Sequence, residues 1–175
     1  KLDQSQSFFI VFDRSTAKKD APKSNFSNIA ETERLKGSWE VSFDTTWGGP
    51  DKITFENLVD WADHKEEGIK FYSGRATYRK TFDMPNALEP ANNSEIYLDL
   101  GEVKNMARVK LNGKDLGVIW TSPWRVNISD VTKEKGNTLE IEIANLWGNR
   151  LIGDDRMTDD GVKDGKWPEW FLEGT

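Results

Sequence analysis

Two segments of the chain combine tryptophan with arginine or asparagine in a way that suits sugar recognition. The first runs from Ile119 to Arg125 and the second from Leu146 to Arg150. The face of an indole stacks on the apolar C–H face of a sugar ring, and the forked donors of Arg and Asn match neighbouring hydroxyl groups. Both segments follow a predicted strand, where sandwich domains usually place ligand contacts. Together with a weaker candidate after Ser73-Gly74, the candidate carbohydrate-binding residues are Trp120, Trp124, Arg125, Trp147, Asn149, Arg150 and Arg75.

The competing interpretation of these tryptophans is that they belong to a hydrophobic core. It is stronger for Trp124, which continues the alternation of Val126 and Ile128, than for Trp120 or Trp147. The chain nevertheless contains 8 Trp beside 9 Phe and 3 Tyr. This surplus makes carbohydrate the first ligand class to consider.

An acidic segment near the C-terminus offers the oxygen ligands that Ca²⁺ prefers. It lacks the ordered spacing and the terminal bidentate Glu of an EF-hand loop. An acidic turn without metal is the expected structure, and a structural Ca²⁺ site is the alternative. Its candidate ligands are Asp154, Asp155, Asp159 and Asp160.

The residues give no sign of a catalytic centre. The chain has no Cys, which excludes thiolate nucleophiles, disulfides and zinc–thiolate sites, and its single His64 lies in a polar stretch that predicts a solvated loop. Glycoside hydrolysis needs two carboxyl groups about 5–10 Å apart across the scissile bond. Adjacent acids such as Glu66 and Glu67 are typical of solvated charge. We therefore expect no catalysis by this segment alone.

Charge and hydropathy argue against two further classes, nucleic-acid-binding proteins and proteins that span a membrane. The 24 Lys and Arg against 30 Asp and Glu give a formal net charge of -6, which disfavours nucleic-acid binding. Apolar runs such as Phe8 to Phe12 are far shorter than the roughly 20 residues that cross a bilayer. No signal sequence opens the chain at Lys1, so an export signal is expected to lie outside this segment.

The elements that must position the candidate residues are short β-strands. Apolar residues alternate with polar ones in seven segments, which are Trp39–Phe43, Ala76–Phe82, Ile96–Leu100, Ala107–Leu111, Leu116–Trp120, Trp124–Ile128 and Leu139–Ile143. Asn112-Gly113 predicts a hairpin turn, and Asn57 to Asp63 predicts one short helical turn. The pattern indicates an all-β fold, an antiparallel β-sandwich or barrel, with a jelly-roll sandwich favoured. The predicted core is Trp39, Phe43, Tyr78, Phe82, Leu98, Val109, Leu111, Val126, Ile141 and Ile143.

The two ends differ from the alternating middle. Residues 1–23 are interpreted as the terminal strand of a preceding domain followed by a polar linker, and residues 24–175 as the sandwich domain. The aromatic stretch from Trp167 to Trp170 is expected to lead into a further strand, and the segment stops at Thr175.

Several motifs resemble a known family of sugar-binding domains. Tyr78–Pro85, Leu98–Val103, Ala107–Gly113 and Asn137–Asn145 resemble the jelly-roll, galactose-binding-like domain of glycoside hydrolase family 2. A closer resemblance is to the C-terminal region of Bacteroidetes enzymes of family 106, the α-L-rhamnosidases. It rests on Gly37–Phe43 with Trp47–Pro50, on Tyr72–Tyr78 and on Asn145–Asp154.

The resemblance implies a galactose-binding-like domain whose catalytic residues lie on a separate barrel. It implies a non-catalytic accessory domain of a larger glycoside hydrolase in polysaccharide degradation, with carbohydrate and the parent's catalytic domain as partners. The location it implies is periplasmic, extracellular or on the cell surface. Two alternatives stay open, an independent carbohydrate-binding module and a structural interaction domain without a ligand.

Overall fold

The computed structural model describes residues 29–85 and 95–156, together with Ser7 and Phe9. The strands in these ranges are β1 (Trp39–Phe43), β2 (Ile53–Phe55), β3 (Arg75–Phe82), β4 (Tyr97–Asp99), β5 (Met106–Leu111), β6 (Lys114–Ile119), β7 (Arg125–Asn127) and β8 (Asn137–Ala144). The helices are α1 (Glu67–Lys70) and α2 (Gly148–Arg156), with short 3-10 helices at Thr45–Trp47 and Trp61–Asp63.

The strands form two antiparallel sheets. One has the order β2-β1-β3-β8-β5-β6 and the other pairs β4 with β7. In the larger sheet Phe43 pairs with Ala76, Ala76 with Ile143, and Ile143 with Ala107. The β-sandwich predicted from the alternation is confirmed, and each of the seven predicted segments contains a strand.

The larger sheet has one buried face and one charged face. Tyr78 of β3 and Ile141 of β8 are neighbours on the buried face, and both are less than one-tenth exposed. Of the predicted core, Trp39, Phe43, Tyr78, Val109, Leu111 and Ile141 are buried. The other four, Phe82, Leu98, Val126 and Ile143, are partly buried and pack against them.

A buried hydrogen bond ties the sheet to the segment that covers it. Trp61 lies in the second 3-10 helix, and its indole Nε1 donates to the Tyr78 hydroxyl at 2.6 Å. Burial raises the pKa of Tyr78 to about 12; the Trp61 hydrogen bond opposes this shift and the charge of Asp60 adds to it. The neutral phenol is therefore strongly favoured in the folded chain.

The predicted Asn112-Gly113 hairpin turn is confirmed. Asn112 and Gly113 join β5 to β6 with φ of 53° and 82°, as a turn with two left-handed positions requires. The short helical turn predicted between Asn57 and Asp63 is present as the 3-10 helix at Trp61–Asp63.

His64 lies in the predicted loop, among the exposed residues Asp63 and Lys65. Its ring is half-buried and stacks on Phe55, with centroids 5.2 Å apart and an interplanar angle of 11°. Its Nδ1 accepts a hydrogen bond from the Glu66 backbone N–H at 3.1 Å. The loop is solvated as predicted, and Phe55 on the short strand β2 covers one face of the imidazole.

The sequence of helix α2 lacks the apolar residues at spacings of three and four that predict a helix. The helix packs against Phe71 through Gly153. Gly153 is buried in it, and a Cβ at that position would lie 2.6 Å from the Cβ of Phe71. The helix can therefore approach Phe71 closely only with glycine there. The domain boundary near residue 23 and the stretch from Trp167 to Trp170 lie outside the described residues and stay predictions.

Candidate functional site

Three interior strands of the larger sheet present their connecting loops at one end. Strand β1 finishes there, β3 begins there, and β8 finishes there, because their register aligns Phe43, Ala76 and Ile143. The loops enclose a pocket of about 200 Å³. We call it the tryptophan pocket, and its lining residues are Asp44, Trp47, Ser73, Gly74, Arg75, Asn145, Trp147 and Arg150.

Two indoles form the apolar part of the tryptophan pocket. The rings of Trp47 and Trp147 meet edge to face, with centroids 6.3 Å apart and an interplanar angle of 77°. Trp147 is 53% exposed. An exposed ring fixed by a second ring offers a sugar a stacking surface whose orientation is already set.

The Asn145 side chain fixes the loop before β3 to the end of β8. Its Oδ1 accepts from the Gly74 backbone N–H at 2.8 Å, and its Nδ2 donates to the Tyr72 carbonyl at 2.9 Å. The Asn145 backbone N–H donates to the Gly74 carbonyl at 3.2 Å. These three bonds make the loop an extension of the sheet.

Ser73 holds helix α2 against the same loop. Its Oγ donates to the Leu146 carbonyl at 3.0 Å and accepts from the Arg150 backbone N–H at 3.0 Å. The hydroxyl thus satisfies one of the backbone N–H groups that the first turn of a helix leaves free.

Tyr72 cross-links the strands below the pocket. Its hydroxyl donates to the Arg75 carbonyl at 2.8 Å and accepts from the Asp44 backbone N–H at 3.1 Å. The ring is buried, and burial raises the pKa of its phenol. Tyr72 therefore sets the positions of the two residues that carry charge at the mouth of the pocket.

Asp44 and Arg75 supply an acceptor and a donor at that mouth. Asp44 Oδ1 accepts from the side chain of Thr46 at 2.6 Å and from its backbone N–H at 3.0 Å. These bonds lower the pKa of Asp44, and the charge of Arg75 adds to the effect, so Asp44 is a carboxylate at neutral pH. The Arg75 side chain is 68% exposed, with Nη1 3.7 Å from Glu142 Oε2.

Arg150 connects the walls of the pocket. Its Nε lies 3.1 Å from Asp154 Oδ1, and its Nη1 donates to the Trp47 carbonyl at 3.5 Å. Burial lowers the pKa of Arg150, and the carboxylate of Asp154 opposes this shift. Since both ends of its guanidinium contact the protein, Arg150 mainly positions Trp47 against α2.

The structure brings three of the seven predicted sugar-binding residues together. Arg75, Trp147 and Arg150 line the tryptophan pocket, and Asn149 is half-buried beside them in α2. Sequence reasoning missed Asp44, Trp47 and Asn145 as site residues. The sequence shows an aromatic residue beside two glycines at Trp47-Gly48-Gly49 and a polar residue, Asn145, after β8. Only the strand order shows that these two segments meet.

Of the other three predicted residues, Trp120 and Trp124 lie in the β6–β7 connection and Arg125 is the first residue of β7. Trp120 is 72% exposed and follows Ile119, whose partner is Ala107, so it lies at the same end of the sandwich two strands beyond β8. Trp124 is partly buried and packs against the core. The Arg125 side chain is 19% exposed, with Nε 3.8 Å from Asp99 Oδ2. Sugar contact by these three residues stays a prediction.

The acidic residues proposed for Ca²⁺ are only partly described. Asp154 is engaged by Arg150, and Asp155 is exposed on α2. Asp159 and Asp160 lie outside the described residues. Within residues 29–85 and 95–156, His and acidic side chains form no group of three that could hold a metal ion. The two described carboxylates therefore do not make a site by themselves, and the Ca²⁺ site stays a prediction.

None of the helices in the described part of the chain is long and apolar enough to cross a membrane.

Comparison with known proteins gives one family and several longer relatives. The family model described as glycosyl hydrolase 2 galactose-binding domain-like matches residues 58–162. The chain is 40% identical over 152 residues to a protein named putative beta-glucuronidase from Formosa agariphila; the match covers 85% of this chain and 13% of that protein.

Solved structures of longer enzymes contain a domain with a similar fold. A rhamnosidase from Novosphingobium sp. PP1Y matches with a TM-score of 0.66 and 34% identity, over 84% of this chain and 14% of that one. A β-glucuronidase from Ruminococcus gnavus matches in fold, with a TM-score of 0.52, 22% identity, and coverage of 65% of this chain and 21% of that one. The chain thus spans about one seventh of the length of the Formosa and Novosphingobium proteins.

Proposed function

This chain belongs to the glycosyl hydrolase 2 galactose-binding domain-like family, and from that premise we propose that it is a non-catalytic accessory domain of a larger glycoside hydrolase, in contact with carbohydrate at the tryptophan pocket. The parent enzyme is proposed to be an α-L-rhamnosidase of the family 106 type known from Bacteroidetes, acting in polysaccharide degradation.

The accessory role is supported by length and by the acids of the pocket. The two longer relatives have about seven times the length of their match to this chain, which leaves ample room for a catalytic domain. Among the described residues that line the pocket, Asp44 is the one carboxylate, whereas glycoside hydrolysis needs two. The rhamnosidase parentage is supported by the 34% identity to the Novosphingobium enzyme.

One observation supports the proposed contact with carbohydrate. The tryptophan pocket combines the paired rings of Trp47 and Trp147 with an exposed donor, Arg75, and an acceptor, Asp44. Sugar sites join an apolar stacking face to convergent polar groups in this way.

The catalytic domain of the parent is the proposed protein partner. Large apolar side chains are exposed beside the pocket, namely Leu146 at 64%, Leu151 at 50% and Ile152 at 47%. Exposed apolar side chains of this size, close together in the sequence, suit contact with another domain. Because polysaccharides are met outside the cytoplasm, the proposed location is the periplasm, the cell surface or the medium.

The proposal is tested by titrating the chain with rhamnose, galactose and short oligosaccharides while following tryptophan fluorescence. Dissociation constants in the millimolar range are expected, since a small polar ligand barely offsets the free energy lost on association. Trp147→Ala should abolish the response and Trp120→Ala should leave it. The reverse pattern would place the site in the β6–β7 connection.

The same titration separates the alternatives. Micromolar binding that Trp147→Ala removes would show an independent carbohydrate-binding module. No sugar response, with tight association to a separately expressed catalytic domain, would show a purely structural domain. Hydrolysis of an aryl rhamnoside by this chain alone would contradict the non-catalytic role.

A further inference from the structure

Several charged side chains lie at or near the tryptophan pocket. We propose that the pocket accepts a single neutral pyranose ring through two neighbouring hydroxyl groups and rejects uronic acids. This inference rests on the proposed function, that the pocket contacts carbohydrate, and it names the ligand class.

The size of the pocket limits the ligand to one ring. Its volume is about 200 Å³, below the roughly 300–1,000 Å³ of pockets that enclose a drug-sized molecule. The edge-to-face pair of Trp47 and Trp147 offers one exposed indole for stacking, that of Trp147. A second sugar of a chain would therefore extend out of the pocket.

The polar groups at the mouth match hydroxyl groups. Asp44 Oδ1 is held by Thr46, and within the described residues Oδ2 receives no hydrogen bond, so it can accept one from a sugar. The exposed guanidinium of Arg75 can donate to the oxygen of a second hydroxyl. Since each hydroxyl both donates and accepts, two adjacent ones satisfy an Asp–Arg pair without any change of charge.

The balance of charge disfavours a uronate. Among the described residues, the guanidinium groups of Arg75 and Arg150 lie near three carboxylates, those of Asp44, Glu142 and Asp154. Arg150 Nε lies 3.1 Å from Asp154 Oδ1, and Arg75 lies 3.7 Å from Glu142 and acts on the charge of Asp44, so each of the two cations has a carboxylate nearby. A sugar carboxylate would enter next to Asp44 and be repelled, in a chain that already carries a net charge of -6.

The test compares two probes that differ only in charge, methyl β-D-glucopyranoside and methyl β-D-glucopyranosiduronate. Binding to the chain is followed by NMR through the indole N–H signals of Trp47 and Trp147. The uronate is expected to bind about fivefold more weakly at low salt, and the difference should shrink as ionic strength rises.

Asp44→Asn is the informative variant, because it keeps the shape and removes the charge. It should bring the affinity for the uronate to within about twofold of that for the glucoside. Asp130→Asn is the matched control. Asp130 is exposed and precedes Val131, whose carbonyl accepts from Asn112 in the turn at the opposite end of the sandwich. Asp130→Asn also removes one charge from the chain, and it should leave the ratio of the two probe affinities unchanged.

The outcomes separate this inference from the function on which it rests. Equal or tighter binding of the uronate overturns the inference and leaves sugar binding at the pocket intact. An affinity ratio that Asp44→Asn leaves unchanged overturns it as well, because the discrimination would then come from another group. Failure of both probes to shift either indole signal overturns the inference together with carbohydrate contact at the pocket.

Discussion

The burial of the Tyr78 phenol predicts a specific loss of stability at alkaline pH. An unfolded chain has a tyrosine pKa of about 10, whereas burial raises the pKa of Tyr78 to about 12 in the folded chain. Above pH 10 the unfolded chain therefore releases this proton first, which lowers the free energy of unfolding. The contribution is fully present below pH 10 and is lost as the pH rises towards 12.

The size of the effect follows from the two pKa values. Each unit of difference is worth about 1.4 kcal/mol, so the loss is about 1.4 kcal/mol at pH 11 and approaches about 2.7 kcal/mol above pH 12. Tyr78 is 8% exposed, so solvent screening takes little from this figure. A loss of this size is a substantial part of the stability of an ordinary domain.

Tyr78→Phe isolates this group from the other residues that titrate in the same range. At pH 8 the variant should be less stable by about 1–3 kcal/mol, because the indole N–H of Trp61 loses its acceptor in a buried place. At higher pH the variant lacks the alkaline penalty, so its stability should approach that of the native chain.

The assay is urea unfolding followed by tryptophan fluorescence, repeated from pH 8 to pH 11.5 for both chains. The difference in free energy between them should shrink by about 1.4 kcal/mol by pH 11. A difference that stays constant across this range would refute the reasoning, since it would mean that Tyr78 titrates alike in both states.

Three further predictions concern packing and the walls of the pocket. Ile141→Ala should cost about 2–5 kcal/mol in urea unfolding, because Ile141 is buried; Val118→Ala at an exposed position is the control, and a loss below about 0.5 kcal/mol for Ile141 would contradict its burial. Gly153→Ala should destabilise by up to about 2 kcal/mol, since the clash with Phe71 outweighs the gain in helix propensity; a stabilised variant would contradict the packing of α2. Asn145→Ala should speed amide hydrogen exchange at Gly74, and unchanged protection there would contradict its bracing role.

Seven of the strands in the described residues could be predicted, because apolar and polar residues alternate along each of them. Trp39, Val41 and Phe43 all reach the core, as their spacing of two indicates. Strand β2 escaped prediction because it has three residues and places one of them, Phe55, in the core. Strand β2 is stabilised mainly by its pairing with β1, and its own three residues are too few to show an alternation.

The pocket could be predicted only in part. Trp147, Arg75 and Arg150 were identified from residue type and from their place beside strands. Asp44 and Asn145 could not be added, because their meeting depends on β3 lying between β1 and β8. Strand order is a long-range property, and local periodicity carries no information about it. Helix α2 was missed for a related reason, since it depends on contact with Phe71.

The position of the pocket within the larger sheet affects how the domain can be combined with others. Its loops leave β1, β3 and β8, which occupy the second, third and fourth places in the strand order, while β2 and β6 form the two edges. A neighbouring domain that packs along either edge therefore contacts strands that contribute no residue to the pocket. A change of the neighbour packed along either edge would therefore leave the loops of the tryptophan pocket unaltered.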